Sequence, residues 1–254
     1  NGFFLGSAAG INANNESFVG WIWKGGGDAV SNGNGTITSS VSANADAGFS
    51  ICKWTGTGVD GKTIGHGLGA APELIITKGL SNPTSWVVGI GGVSGMSVND
   101  YYTLTSFDKA NSSTFYQAYS TNTFQVGVSA ANEMNKSASN EYISYCFRSI
   151  SGYSKIGTYT GASVPNTVTT GFKPSFLLIK ADRDNNSWIL IDGARDTDID
   201  NNNYLRPNLN NAEVGASNTT IDIDLVDTGF ILQNNYESVN YTTSTTEYLY
   251  IAFK

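Results

Sequence analysis

Apolar residues fall in short runs of β-branched and aromatic side chains, closed off by Gly, Pro, Asn or Asp. No stretch sustains the i, i+3, i+4, i+7 spacing of an amphipathic helix. Tyr248-Leu249-Tyr250-Ile251-Ala252-Phe253 alternates ring and aliphatic positions, as a strand with two different faces would. Phe176 to Ile179 and Ile189 to Ile191 are continuously apolar, which fits strands buried on both faces. Many short strands separated by turns predict an all-β protein, a sandwich or jelly roll, with seven or eight strands per copy of the repeat described next.

The pattern occurs twice. Gly48-Phe49-Ser50 with Trp54-Thr55-Gly56 answers to Gly152-Tyr153-Ser154 with Tyr159-Thr160-Gly161. Pro72-Glu73-Leu74-Ile75-Ile76 answers to Pro174-Ser175-Phe176-Leu177-Leu178, and Ser85-Trp86-Val87 to Ser187-Trp188-Ile189, both at an offset of 102. Thr123-Phe124-Gln125-Val126 answers to Gly229-Phe230-Ile231-Leu232. Glu141-Tyr142-Ile143-Ser144-Tyr145-Cys146-Phe147 answers to the Glu247–Phe253 run. The same order kept over about 100 residues defines two copies, 48–150 and 151–254. The matched Trp86 and Trp188 are expected to be large core residues.

Residues 1–47 read differently. Glu16-Ser17-Phe18-Val19-Gly20-Trp21-Ile22-Trp23-Lys24 resembles the closing run of each copy, so 1–24 read as the end of an earlier one. A bare strand would leave its backbone unpaired, so it is expected to join the first full copy or a neighbouring chain. Residues 25–47 read as a linker with turn signals at Gly25-Gly26-Gly27 and Asn32-Gly33-Asn34-Gly35 and an extra strand near 36–41. The fold expected is therefore two tandem antiparallel β-sandwich, jelly-roll-like repeats plus an N-terminal partial repeat. The chain opens on Asn1 rather than Met, which suggests part of something longer, and no signal peptide is read there.

Composition narrows the function. Hydrophobic residues make up 40% and charged residues 14%, enough apolar material for a core. The net charge of −7 repels phosphate backbones and anionic lipid surfaces, which argues against nucleic-acid partners. No apolar run approaches the roughly 20 residues that span a bilayer, so membrane insertion by a helix is not expected. With one histidine and the two cysteines Cys52 and Cys146 outside any CxxC pair, a Cys/His zinc site is excluded. Their strand-like surroundings favour free thiols over a disulfide.

The chemical candidates are weak. His66, in Gly65-His66-Gly67, has no nucleophile or orienting carboxylate by motif and is replaced by Thr170 in the second copy. It reads as a turn residue. Asp196, Asp198 and Asp200 have the alternate spacing of a calcium loop, but Asn201 and Pro207 stand where its glycine and closing glutamate belong. A solvated acidic loop is the plainer reading. Asp192 and Asp196 flank Arg195, which suggests a local ion pair rather than a glycosidase carboxylate pair. Gly56, Gly61, Lys62 and Thr63 fit the phosphate-loop string, but no helix pattern follows and the second copy lacks it. Tyr101, Tyr102, Tyr116 and Tyr119 could stack on sugars if exposed, and fill the core if not. No catalytic, cofactor-binding or metal residue is assigned, and no cofactor is expected.

Asp46-Ala47-Gly48-Phe49-Ser50, Trp54-Thr55-Gly56-Thr57-Gly58, Gly65-His66-Gly67-Leu68-Gly69 and Pro72-Glu73-Leu74-Ile75-Ile76 together resemble a module of tailed-phage virion structural and tail-fibre proteins. Gly157-Thr158-Tyr159-Thr160-Gly161, Gly171-Phe172-Lys173-Pro174, Asp192-Gly193-Ala194-Arg195-Asp196 and Trp21-Ile22-Trp23-Lys24-Gly25-Gly26-Gly27 resemble it too. The first copy departs where Val88-Gly89-Ile90-Gly91-Gly92 replaces the Asp-x-Ala-Arg-Asp stretch. The resemblance implies a non-enzymatic component of the virion surface, in a fibre, appendage or capsid, with its own copies and other virion proteins as partners. Because phage fibres are commonly trimers, a homotrimer is the first expectation. The alternative is a receptor- or carbohydrate-binding module that meets host surface glycans. Sandwiches in series would suit an extended assembly, and specialisation of one copy is expected at 88–97 or 192–203.

Overall fold

The computed structural model describes residues 2–105, 108–131, 133–183, 186–195, 202–215, 220–241 and 246–254. After one helical turn at Ala9–Asn12, the regular structure of the described residues is strand apart from a 3-10 turn, Ala45–Ala47. The first part holds β1 (Val30–Asn32), β2 (Ser39–Asn44), β3 (Phe49–Thr55), β4 (Lys62–Gly65), β5 (Leu74–Gly79), β6 (Val87–Gly89), β7 (Asp100–Thr103), β8 (Ala110–Asn111), β9 (Tyr116–Tyr119), β10 (Thr123–Val126) and β11 (Glu141–Phe147). The second holds β12 (Ser154–Thr160), β13 (Asn166–Thr169), β14 (Phe176–Ala181), β15 (Ile189–Asp192), β16 (Ile223–Val226), β17 (Gly229–Leu232) and β18 (Glu247–Phe253). Against an expected seven or eight, nine strands fall in 48–150 and seven in 151–254 among the described residues.

Each part is a sandwich of a larger and a smaller antiparallel sheet. The large sheets run β1-β2-β3-β11-β5-β6-β7-β8 and β12-β18-β14-β15, the small ones β4-β10-β9 and β13-β17-β16. The order β3-β11-β5-β6 thus recurs as β12-β18-β14-β15. In both, the closing strand is central, bonded to β3 and β5 in one case and to β12 and β14 in the other. Trp54 stacks on Tyr142 at 4.5 Å in the first sandwich, and Tyr159 on Tyr248 at 4.9 Å in the second. The segment read as a linker is part of the first large sheet: β1 and β2 form a hairpin whose second strand pairs with β3. Ile37, just before β2, bridges to Ile64 and is buried.

Alternation assigns each face. In β11, Tyr142 and Cys146 point into the first sandwich, while Tyr145 and Phe147 point out of it. In β18, Tyr248, Tyr250 and Ala252 point into the second, and Leu249, Ile251 and Phe253 point out. The two outward faces meet, so β14 and β18 are buried on both sides, as their continuous apolar runs require. The sandwiches are therefore packed face to face through their large sheets, in place of the series arrangement expected. Exposed apolar faces of that extent are incompatible with two independent units, and mutual burial removes them from water.

One expectation is narrowed and one corrected. Residues 16–24 do not join the sheet of the first copy as a strand. The reason is that the place each closing strand fills is already occupied in both large sheets, so the segment lies extended across the junction instead. The tryptophans are also not equivalent: Trp188 is 1% exposed at the junction, whereas Trp86 is only half-buried, at the edge of a cleft.

A buried hydroxyl chain pins the first sandwich. Trp54 Nε1 donates to Ser144 Oγ at 3.0 Å, Ser144 Oγ lies 2.8 Å from Thr77 Oγ1, and the Tyr116 hydroxyl donates to Thr77 Oγ1 at 2.8 Å. The chain links three neighbouring strands of the large sheet to β9 of the small one. Thr77→Val keeps the shape but leaves a buried hydroxyl short of a partner. We expect it to lower stability by about 1–3 kcal/mol, read as a lower urea midpoint at unchanged slope.

Candidate functional site

An apolar cleft of about 470 Å³ lies where the two large sheets diverge. Ile51 and Tyr145 form one wall, Leu178 and Ile251 the other, and Trp86 and Leu104 the rim. Trp21 and Trp23 close it from the N-terminal segment. Trp23 meets Phe147 at 6.2 Å, Phe176 at 5.6 Å and Phe253 at 5.4 Å, all edge to face. Among the described residues, the lining carries no ionisable side chain other than the Tyr145 phenol, so it offers shape and apolar surface rather than acid–base chemistry. Among the described residues, no three His, Cys, Asp or Glu side chains are placed to hold a metal ion.

Charge sits at one margin of the junction. Lys109 of the first sandwich reaches Asp182 at 2.8 Å and Glu247 at 4.0 Å in the second, and its own Asp100 at 3.8 Å. Burial opposes the Lys109 charge, but the hydrogen bond to Asp182 and the three carboxylates outweigh it and raise its pKa. Lys180 lies beneath, with Nζ 5.2 Å from the Tyr102 ring and donating to the Ala181 carbonyl at 2.6 Å. Burial lowers its pKa to about 8, against the pull of Asp108 and Asp182. These contacts tie the sandwiches together at that margin.

The residues singled out in the sequence scatter. His66 is buried; Leu68 N–H donates to its Nδ1 at 3.2 Å, which puts the proton on Nε2, 3.1 Å from the Ser120 carbonyl. Its counterpart does the same work with a hydroxyl: Phe172 N–H donates to Thr170 Oγ1 at 3.4 Å. Lys62 and Thr63 of the phosphate-loop string are in β4, where Thr63 N–H donates to Thr36 Oγ1 at 2.9 Å. Asp192 pairs with Arg195 at 3.0 Å, and Arg195 with Glu213 at 2.8 Å, a local ion-pair chain. Asp196, Asp198 and Asp200 lie outside the described residues. Tyr102 and Tyr116 are buried, and Tyr101 and Tyr119 pack against the first core, so these rings form no sugar-stacking platform. Cys52 and Cys146 are free and buried in that core; burial pushes the Cys146 thiol up, and Cys52 adds to it. Reading for chemistry missed Trp21 and Trp23, whose alternation with Phe18, Gly20 and Ile22 was the available signal.

The whole chain, residues 1–254, matches the family described as a domain of unknown function, DUF7483, and belongs to it. No curated protein and no solved structure matches the chain.

A structural role for His66 has a readout. Burial lowers its pKa below 6.5, more than the hydrogen bond to the Ser120 carbonyl raises it. The unfolded chain therefore takes up the proton first, and stability falls as pH drops through about 6.5. As the one histidine in the chain, its ring resonances are unambiguous in an NMR titration. A midpoint below 6.5 is expected; one above it would contradict a buried neutral ring.

Proposed function

We propose that the chain is a non-enzymatic virion structural protein, a component of a fibre, appendage or capsid surface, assembled with its own copies and other virion proteins. The observation that carries this reading is where the exposed apolar side chains lie. Among the described residues, six of thirteen exposed large hydrophobics, Phe3, Phe4, Leu5, Ile11, Phe18 and Ile22, are concentrated in the N-terminal segment. Such a cluster marks an assembly surface more than a solvent-facing one. The fused sandwiches support it: a junction of interlocked aromatic rings holds two sheet pairs as one stiff body without a flexible tether. The resemblance of the glycine-aromatic runs to phage virion modules supplies the context, with a trimer as the first assembly to look for.

Immunogold labelling of purified intact particles tests the placement. Gold on the particle surface is the expected result. Protein recovered only as a soluble monomer from the host cytoplasm, and absent from particles, would overturn it.

A further inference from the structure

We infer that residues 18–24 are the closing strand of a third sheet, and that the aromatic junction is built for three sandwiches around a threefold axis with the third place open. Aligned on their last residues, Phe18 to Lys24 stand against Tyr142 to Arg148 and Tyr248 to Lys254. The faces agree. Val19, Trp21 and Trp23 are half-buried, and Trp21 and Trp23 reach the junction, as do Tyr145 and Phe147 in β11 and Ile251 and Phe253 in β18. Phe18, Gly20 and Ile22, exposed here, match Tyr142, Ser144 and Cys146, which fill a sandwich core.

The three equivalent end residues form a triangle. Trp23–Phe147, Trp23–Phe253 and Phe147–Phe253 have ring centroids 6.2, 5.4 and 6.1 Å apart, with interplanar angles of 77°, 66° and 66°. Phe176 packs into the same cluster, 5.6 Å from Trp23 and 5.8 Å from Phe253, so three equivalent end residues converge on one point, as a threefold arrangement requires.

The contacts between the sandwiches are also head-to-tail. Trp188 and Lys180 of the second cover Tyr102 of the first, Trp188 at 5.5 Å. Their counterparts Trp86 and Lys78 lie 6.0 Å apart, and Trp86 lines the open cleft. By ladder position, Leu190 opposite Leu205 and Val88 opposite Tyr102, Leu205 is the counterpart of Tyr102, and it is only half-buried. A twofold interface would reciprocate each contact; a heterologous one leaves a free surface at each end until a ring closes.

Residues 18–23 make no main-chain hydrogen bond among the described residues, whereas β11 and β18 are each bonded to two strands. The occupant is thus a sandwich of this same kind that has strands equivalent to β3 and β5 but none between them. A second copy of this chain does not qualify, because both its large sheets are already closed.

The test places such a sandwich before the segment. Residues 48–140 are fused ahead of residues 17–254, so that Ser17 follows Asn140 in the register Glu141 has now. In the chain itself, amides 18–23 should exchange at close to free-peptide rates. In the extended protein their exchange should slow by at least about 100-fold, with the added residues resistant to protease. A parallel extension with residues 154–246 guards against misfolding of the first. Unchanged exchange at 18–23 in both extended proteins would overturn the inference.

Discussion

Everything in this structure depends on four central strands, β5, β11, β14 and β18, that have apolar side chains on both faces. A sandwich can cover one face of its large sheet with its own small sheet. The other face must be covered from outside. Here the two sandwiches cover each other, through Leu74, Val88, Tyr102 and Phe147 on one side and Ile156, Trp188, Ile251 and Phe253 on the other. At roughly 25 cal/mol per Å² of apolar surface removed from water, such a junction stabilises the pair as a unit in a way no linker would.

The junction also explains where the copies differ. The inner cores are close to interchangeable: a tryptophan stacked on a tyrosine in one, a tyrosine stacked on a tyrosine in the other. The outer faces are not. Trp188 is sealed under Tyr102, while Trp86 stands at the rim of the cleft. Like residues in like strands end in different surroundings because the contact between the sandwiches runs head to tail. The same asymmetry leaves the cleft open and gives Trp21 and Trp23 a place to dock.

Much of this was legible in the sequence. The apolar runs at Phe176 to Ile179 and Ile189 to Ile191 announced strands covered on both faces, and the order of matched motifs announced equal topologies. The turn role read for His66 was legible from its replacement by Thr170, since a ring nitrogen and a hydroxyl accept the same turn hydrogen bond. What was not legible is what covers the second face. Periodicity shows that a face is apolar and is silent on its partner, so a series arrangement looked as good as a face-to-face one. The fate of residues 16–24 was hidden for the same reason: their alternation identifies a closing strand, but only the filled sheets reveal that it has no gap to enter here. The ties from Lys109 to Asp182 and Glu247 join residues more than 70 positions apart, which no local spacing could signal.

The central claim is that the two sandwiches are one body held by their shared apolar face. Differential scanning calorimetry measures this most directly. The account predicts a single transition whose calorimetric enthalpy equals its van't Hoff enthalpy, because exposing the junction would destabilise both halves together. Two separate transitions, each with the enthalpy of half the chain, would contradict it.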